Sequence, residues 1–202
     1  MISEQTLQVW SNAPSETEQT KCDNAVSVIR KALGSDTSLG RRTIRVFAQG
    51  SYCNRTNVRQ DSDVDVCGLC SDTLFYDIPA GTNPASFGLS PADYVYSRFK
   101  DDVSAALTSF FPRGHIVRGN KAFDIKENTY RIAADVVPCF LFKDFTSDGA
   151  ATDGVAFLSD SGQRIVNWPE QNYANGVAKN AATRTRFKGV VRIIKRLRYQ
   201  MT

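Results

Sequence analysis

The sequence predicts an α+β fold in which a mixed or antiparallel sheet packs against helices. Three observations lead to this prediction: a helical pattern precedes the first strand pattern, short strands fill the middle of the chain, and helical periodicity returns over 169–202. With 202 residues and 42% hydrophobic content, the chain can bury a sizeable core, and its length corresponds to one domain or slightly more.

The N-terminal region is expected to contain a helix followed by two strands. Ser15 and Glu18 form a capping-box pattern, and apolar residues then recur at helical spacing, which predicts a helix over 15–33. Residues 44–48 alternate in character and predict a half-buried strand that ends at a Gly-Ser turn. A second strand is expected at 63–70.

A long helix is predicted after a loop that is rich in proline and glycine. Ser90 is its expected N-cap, Pro91 its first helical residue and Asp93 part of its first turn. The stripe that this helix is expected to bury consists of Val95, Phe99, Val103, Leu107 and Phe110.

The second half of the chain is expected to begin with strands and to end with helices. Turn residues separate three strand patterns between 115 and 142, which predicts antiparallel strands linked by hairpins. Short strands are expected at 155–158 and 163–167, and a helix begins at Pro169. A final helix is expected from near Thr183, with one apolar face and a second face that contains Lys188, Arg192, Lys195 and Tyr199.

These elements predict two parts of unequal size. Residues 1–168 would form the core that contains the sheet, and residues 169–202 would begin a C-terminal helical portion. Because the sequence stops inside a helical pattern without a stop signal, we expect this portion to be incomplete here. The helix over 15–33 is a candidate to pack on it.

The composition argues against several classes of protein. The N-terminal segment has no pattern of a secretory signal, and no segment approaches the roughly 18 apolar residues of a membrane span, so we expect a cytoplasmic protein without a membrane partner. Five cysteines in this context predict reduced thiols. A net charge of +4 is too small for the broad basic surface that binds nucleic acid, and we expect a monomer with no stable nucleic-acid complex.

Two aspartates in the second strand pattern predict a metal site. Asp63 and Asp65 project from the same face of a strand, because successive side chains alternate. Two adjacent carboxylates repel each other unless a cation lies between them, and oxygen ligands favour Mg²⁺ or Mn²⁺. Asp135 is the candidate for a third carboxylate, since it lies in the middle of an otherwise apolar strand where an unpaired charge would be costly.

The Gly50-Ser51 turn predicts a phosphate-binding site next to these carboxylates. Glycine lets the backbone approach a ligand closely, and the following amides and the Ser51 hydroxyl can donate hydrogen bonds to phosphate oxygens. Two alternatives stay open. The aspartates could be solvated loop residues, or the run from Asp61 to Asp72 could be a calcium loop, although Val66 occupies the place where such a loop needs glycine.

Other residues that often form sites are assigned structural roles. The Cys67-x2-Cys70 spacing is typical of zinc ligands, but residues three apart on a strand face opposite sides, and no second pair of ligands follows. His115 has no evident catalytic partner in the sequence. Trp10 and Trp168 are most simply packing residues.

Four segments of the chain resemble the bacterial cGAS/DncV-like nucleotidyltransferases. These are "QGSYCNRTNVRQDSDVDV", "ADVVPC", "IVNWPEQNYANGVAKN" and "RFKGVVRIIKRLR", and they are most similar to the CdnE-like clade of CBASS anti-phage systems. The first segment is shared with the wider polymerase-β-like superfamily, whereas the later ones narrow the resemblance to this clade. The resemblance implies a polymerase-β-like core that packs on a helical C-terminal portion, with nucleotides bound in the cleft between them.

The resemblance also implies roles for individual residues at the metal and phosphate sites. Asp63 and Asp65 would be ligands of two Mg²⁺ or Mn²⁺ ions, and Asp135 would be the third carboxylate. The turn formed by 49–51, which contains Gln49, Gly50 and Ser51, would bind the donor triphosphate.

Three further residues are expected to contact nucleotides. Lys195 resembles the lysine that contacts the triphosphate in relatives, and Lys179 is a second candidate, while a solvated helix face is the alternative for both. Asn167 occupies a position that lines the base pocket in relatives, where asparagine accompanies a preference for pyrimidines. Its carboxamide can donate to O4 of uracil and accept from N3–H, whereas the alternative is that Asn167 caps the following helix.

The function that the resemblance implies is metal-dependent synthesis of cyclic di- or oligonucleotides from NTPs such as UTP and ATP. The product would then activate a separate effector during phage infection. Transfer of a nucleotide to a small molecule, a protein or RNA is an alternative, as is a nucleotide-binding module without activity. The small net charge of +4 disfavours a large RNA substrate.

Overall fold

The computed structural model describes residues 2–58 and 63–201 and contains one mixed sheet with helices on both sides. The α+β class predicted from the sequence is therefore confirmed. The helices are α1 (Glu4–Ser11), α2 (Glu16–Ser35), α3 (Gly50–Cys53), α4 (Tyr96–Phe110), α5 (Pro169–Ala182) and α6 (Phe187–Met201). The strands are β1 (Ile44–Ala48), β2 (Val64–Asp77), β3 (Ile116–Arg118), β4 (Phe123–Ile125), β5 (Ala134–Phe145), β6 (Ala151–Leu158) and β7 (Arg164–Asn167).

The sheet is built around the long strands β2 and β5, which run parallel to each other. β1 pairs antiparallel with the free side of β2. On the other side of β5, β4 pairs with its first residues and β6 with its last, both antiparallel, and β3 and β7 extend these two hairpins. The N-terminal ends of β2 and β5 therefore lie side by side at one end of the sheet.

Helices α2 and α4 cover one face of this sheet and complete the hydrophobic core. The predicted capping box of α2 is present, because the Ser15 hydroxyl accepts from the Glu18 amide and the Glu18 carboxylate accepts from the Ser15 amide. The buried face of α2 includes Cys22, Ala25, Val26, Ile29 and Leu33. The helix over 15–33 was a candidate to pack on the C-terminal portion, but α2 packs mainly on α4 and the strands β1 and β2, and it is α1 that packs on α6 beside α5.

The strand predictions differ from the structure mainly at their ends. β2 begins at Val64, one residue after its predicted start, and continues to Asp77 through a register shift between Cys70 and Leu74. β5 begins only at Ala134, because the Asn128 side chain accepts hydrogen bonds from the Tyr130 and Arg131 amides and holds this segment in a turn. The hairpins between β3, β4 and β5 are antiparallel as predicted.

The predicted start of the long helix at Ser90 and Pro91 is wrong, since α4 begins at Tyr96 with Val95 as its N-cap. Tyr94 explains the difference. Its ring is buried against Phe99 and Phe140 and its hydroxyl donates to Asp102, so the chain must enter the core in an extended conformation before the helix can begin. Phe99, Val103 and Leu107 are buried as predicted, but Val95 and Phe110 are exposed.

The last helix also begins later than predicted and turns an unexpected face inward. α6 starts at Phe187 because Arg184 and Thr185 adopt positive φ angles of 52° and 65°, which interrupt the helix. Arg192 is buried, whereas the apolar side chains of Val190, Ile194 and Met201 are exposed. In the described ranges, no helix is both long and apolar enough to cross a membrane.

Candidate active site

Two aspartates lie side by side where the parallel central strands begin. Asp65 on β2 and Asp135 on β5 are direct partners in the register of the two strands, so their side chains project from the same face of the sheet. Both are half-buried, while their neighbours Val64, Val66 and Val136 are completely buried on the opposite face. Asp135 therefore does not face the apolar interior, and neither aspartate is a fully solvated loop residue.

Asp63 immediately precedes β2, and the calcium-loop alternative does not match its surroundings. Val66 is the third residue of β2 and is completely buried, which is incompatible with a turn at this position. Asp61, the first residue of that alternative, lies outside the described residues.

The Gly-Ser turn packs directly against Asp65. The Gln49 amide donates to the Asp65 carbonyl at 2.8 Å, which fixes the end of β1 beside the start of β2. Gly50 adopts a φ of 67°, and a Cβ added to it would overlap the Asp65 carboxylate. Only glycine meets both requirements, so the sequence places the first turn of α3 in contact with the acidic pair.

A cavity of about 350 Å³ lies over these residues and is closed on its other side by α6. Its acidic wall contains Asp63, Asp65 and Asp135, and its basic wall contains Lys195 and Arg198. The remaining lining residues are Ser51, Asn57, Val58 and Tyr199. A site with both charge signs is suited to a ligand that carries anionic groups and cations together, such as a metal-bound polyphosphate.

The three carboxylates hold their protons more tightly than ordinary aspartates. The pKa of Asp135 is raised from 3.8 to about 6, mainly by partial burial and next by the charge of Asp63. Partial burial is also the largest cause of the raised pKa of Asp63 and of Asp65, and the Asp63 charge adds to the latter. Lys195 is the cation that opposes the shift at Asp65, and its own pKa is lowered, chiefly by burial.

Asp124 belongs to this cluster and was missed by the sequence analysis. It is the register partner of Asp135 on β4, and its carboxyl lies within hydrogen-bonding reach of the Asp135 carboxyl when one of them is protonated. Its charge also raises the pKa of Asp63. The alternation of Phe123, Asp124 and Ile125 showed that Asp124 faces away from the core, but only the pairing of β4 with β5 shows which side chain it lies beside.

The donor set fits Mg²⁺ or Mn²⁺ chemically, because it consists of carboxylate oxygens that repel one another without a cation. No group of three or more His, Cys, Asp or Glu side chains in ranges 2–58 and 63–201 is arranged to hold a metal ion as it stands. Cys67 and Cys70 are buried free thiols, so the zinc alternative has no support in the described residues.

The two lysines predicted to contact phosphate lie in different places. Lys195 lines the acidic cavity. Lys179 instead lines a separate cavity of about 560 Å³ between α3, α5 and α6, together with Lys188 and Phe187. The structure therefore does not bring Lys179 into the cavity that contains the three aspartates.

Asn167 lies on the same face of the sheet as the aspartates, but farther along it. It is the cross-strand partner of Val155, whose side chain lines a third cavity of about 280 Å³ with Leu69 and Leu141. The N-cap of α5 is Trp168, which makes no side-chain cap hydrogen bond, so the alternative role of Asn167 as the helix cap is not observed. Trp168 packs against Phe142, as a packing residue should.

Comparison with known proteins relates both parts of the chain to one family. The family model of the cGAS/DncV-like nucleotidyltransferase C-terminal helical domain matches residues 174–202. A cyclic dipyrimidine nucleotide synthase CdnE of Legionella pneumophila is 48% identical over 201 residues, which cover 96% of this chain and 68% of that protein. A protein of the same name from Cecembia lonarensis is 41% identical over 199 residues, which cover 98% of this chain and 68% of the relative.

The solved structures agree with this relationship. The Rhodothermus marinus CdnE c-UMP-AMP synthase, solved with Apcpp and Upnpp, matches with a TM-score of 0.87 and 30% identity and covers 100% of this chain and 68% of its own. The Elizabethkingia meningoseptica CdnE cyclic dinucleotide synthase, solved with GTP and Apcpp, matches with a TM-score of 0.80 and 37% identity, again over 100% of this chain and 68% of that one. The chain belongs to the CdnE-like cGAS/DncV-like nucleotidyltransferases.

Proposed function

We propose that this protein joins NTPs into cyclic di- or oligonucleotides in a reaction that depends on divalent metal ions. The observation that carries this proposal is the pairing of Asp65 with Asp135 in adjacent parallel strands, directly beside the Gly50-Ser51 turn. The family relationship and the names of the relatives, all of them cyclic nucleotide synthases, support the same conclusion.

The carboxylates would act as the metal ligands of the reaction. Asp63, Asp65 and Asp135 would hold two Mg²⁺ or Mn²⁺ ions. Bound metal supplies charge neutralisation on the phosphates and lowers the pKa of an attacking hydroxyl. Beyond this, the residues need only position the reactants, because positioning and electrostatics account for most of the rate in phosphoryl-type transfer.

The phosphate chain of the donor would lie between the Gly-Ser turn and α6. The Ser51 hydroxyl and the backbone of Gln49 and Gly50 would hold it on one side, and Lys195 would neutralise it on the other. A ribose hydroxyl of a second nucleotide would lose its proton to water and form a bond to the α-phosphorus of the donor. The bond from that phosphorus to the bridging oxygen would break, and pyrophosphate would leave. A second transfer within the linear product closes the ring.

We further propose that pyrimidines are accepted at the base position near Asn167. Two relatives with 41% and 48% identity are named dipyrimidine synthases, and the Asn167 carboxamide has the donor and acceptor that uracil requires. Other relatives are named for purine or mixed products, so the base is a property to be measured. Replacing Asn167 with Ser should lower the use of labelled UTP relative to ATP, and an unchanged ratio would contradict this role.

The remaining parts of the proposal concern organisation and partners. Residues 1–168 would form the nucleotidyltransferase core, and residues 169–202 would begin the helical lobe, a division supported by the family match over 174–202. The protein would act as a monomer in the cytoplasm, where NTPs are available, and its product would activate an effector in anti-phage signalling. Lys179 would serve only in a second, separate nucleotide contact, since it lies outside the acidic cavity.

The decisive experiment is incubation of the protein with all four NTPs and Mg²⁺, followed by mass spectrometry of the phosphatase-resistant products. A cyclic product supports the proposal, whereas transfer of NMP only to an added small molecule, protein or RNA would favour one of those alternatives. An Asp63→Ala/Asp65→Ala double variant should form no product, while Asp148→Ala, in the turn between β5 and β6, should retain wild-type turnover. Turnover by the double variant would refute the assignment.

A further inference from the structure

Asn57 is a buried polar residue next to the acidic cavity that the mechanism above does not use. The residue is 3% exposed and is one of those that line the cavity with the three aspartates, Ser51 and Lys195. Neither its Nδ2 nor its Oδ1 has a hydrogen-bond partner among the described residues. Leaving two polar groups of one buried carboxamide unpaired opposes folding, so the position calls for a partner that residues 2–58 and 63–201 do not supply.

The backbone around Asn57 is held rigidly in place by residues from other elements. The Thr56 amide donates to the Ser51 carbonyl at 2.9 Å, which ties this segment to the Gly-Ser turn. Arg192 of α6 is buried and donates to the Arg55 carbonyl, which ties the same segment to the basic wall of the cavity. Arg55 adopts a φ of 54°, an uncommon conformation for a residue with a side chain. Asn57 is thus fixed between the two elements that are expected to contact phosphate.

We propose that the Asn57 carboxamide binds the polyphosphate of the NTP, with Nδ2 donating to a non-bridging phosphate oxygen. The proposal rests on the proposed function, and it adds a neutral donor between the Ser51 hydroxyl and the Lys195 ammonium. A neutral donor suits this place, because another cation would compete with metal ions at Asp63 and Asp65 and another carboxylate would repel the phosphates. The free energy lost by burying the carboxamide is then regained only when the ligand is bound.

This role predicts opposite effects on stability and on binding, which distinguishes it from a structural role. Asn57→Ala removes the unpaired polar groups, so the Tm of the free protein should equal or exceed that of the wild type. The same change should weaken binding of Mg²⁺ with inorganic triphosphate by about tenfold to a hundredfold, the range expected for one hydrogen bond to a charged group. A residue that only supports the fold would show a lower Tm and an unchanged affinity.

Asn57→Asp separates donation to phosphate from other contacts. It keeps the size and the acceptor atoms of the side chain but removes the donor and adds a negative charge. Affinity for inorganic triphosphate with Mg²⁺ should therefore decrease in the order wild type, Asn57→Ala, Asn57→Asp. If the carboxamide instead accepted a hydrogen bond from the ribose, Asn57→Asp would bind an NTP analogue at least as well as Asn57→Ala, and the triphosphate affinities would not differ.

Both variants should be compared by calorimetry and thermal unfolding with Asn24→Ala, a matched change at a distant site where the side chain donates to the Tyr130 carbonyl. Asn24→Ala should leave the triphosphate affinity at the wild-type value. Equal affinities for wild type and Asn57→Ala, in a protein that still forms cyclic product, would overturn the role of Asn57 and leave the proposed function intact. A wild-type protein that binds neither triphosphate nor NTP analogue would overturn both.

Discussion

The aspartates at two places in this protein have pKa values that are shifted in opposite directions by their surroundings. Asp160, in the turn between β6 and β7, accepts a hydrogen bond from Lys100 at 2.7 Å and lies 3.6 Å from Arg118, and its pKa is lowered chiefly by the bond to Lys100. Asp135 has acidic neighbours instead, and its pKa is raised to about 6 by partial burial and by those carboxylates. The same side chain is thus paired with cations in one place and grouped with other carboxylates in the other.

The difference separates a structural role from a functional one. The Lys100 side chain is 3% exposed, and its ammonium also donates to the Asn120 carbonyl, so the ion pair with Asp160 joins α4 to both hairpins of the sheet. This pair is complete without a ligand. The cluster around Asp135 remains electrostatically unfavourable until a cation binds, which is typical of catalytic carboxylates.

Loss of one catalytic carboxylate should produce the largest effect and should act on turnover alone. Asp135→Asn keeps the shape of the side chain but removes the charge that a metal ion requires, so we expect turnover to fall by roughly 10²- to 10³-fold or more. The variant should remain folded, because it relieves repulsion from Asp63 and Asp65. Product formation and thermal unfolding would be measured on the same samples, and wild-type turnover would show that the acidic cluster is not the catalytic site.

Loss of the structural carboxylate should instead lower stability without changing the chemistry. Asp160→Ala leaves the buried Lys100 ammonium without its counter-charge, which should reduce the free energy of unfolding by about 3 kcal/mol. Turnover per folded molecule should stay at the wild-type level at temperatures well below the Tm. Urea denaturation monitored by circular dichroism would measure the change in the free energy of unfolding. An unchanged midpoint would mean that the ion pair between Lys100 and Asp160 does not stabilise the fold.

The pH dependence of stability should have opposite signs at the two sites. The folded-state pKa of Asp135 is about 6, above the usual 3.8, so the folded protein binds more protons than the unfolded one between about pH 4 and 6. The contribution of this group to stability therefore decreases as the pH rises through that window. The pKa of Asp160 is lowered, so its contribution is lost as the pH falls through the folded value.

Urea denaturation in EDTA at several pH values would test this contrast. Relative to wild type, Asp135→Asn should become more stabilising as the pH rises from 4.5 to 7, because it removes a group that is costly to ionise. A difference between the two proteins that does not change with pH would contradict the raised pKa of Asp135.

Asp124 should contribute less than Asp135, although the two carboxyls are neighbours. Asp124 is more exposed and lies on the short strand β4, so Asp124→Asn is expected to reduce turnover by about tenfold or less through altered placement of Asp135. The reduction should be in kcat more than in KM for NTP. A loss as large as that of Asp135→Asn would show that Asp124 is itself a metal ligand.

The smallest effect is expected at the outer edge of the Asp160 cluster. Arg118 is 40% exposed and bridges Asp101 and Asp160 at the surface, so Arg118→Ala should change the free energy of unfolding by less than about 1 kcal/mol. A cost comparable to that of Asp160→Ala would indicate that the three charges act as one network.

Local patterns were sufficient where one element determines its own geometry. The capping box of Ser15 and Glu18, the strand before Gly50 and the outward phase of Asp63 and Asp65 follow from short-range rules, and the structure agrees with each. Local patterns were insufficient where a contact with a distant residue determines where a helix begins or which face it buries. Tyr94 delays α4 by packing on Phe140, and Arg192 is buried on a helix whose apolar face suggested the opposite orientation.

The sequence by itself determined the secondary structure type, the acidic pair and the glycine beside it, because these depend on side-chain alternation and on backbone sterics within a few residues. Only the tertiary structure decided that Asp135 and Asp124 stand in register with Asp65 across three strands and that Lys195, not Lys179, faces them. It also decided that the Asn57 carboxamide is buried with no partner in the part of the chain that the structure describes. Those facts depend on strand order and on the packing of α6. Such long-range pairings are determined by the apolar surface that the whole chain buries on folding, and not by the local conformational preferences of any single segment.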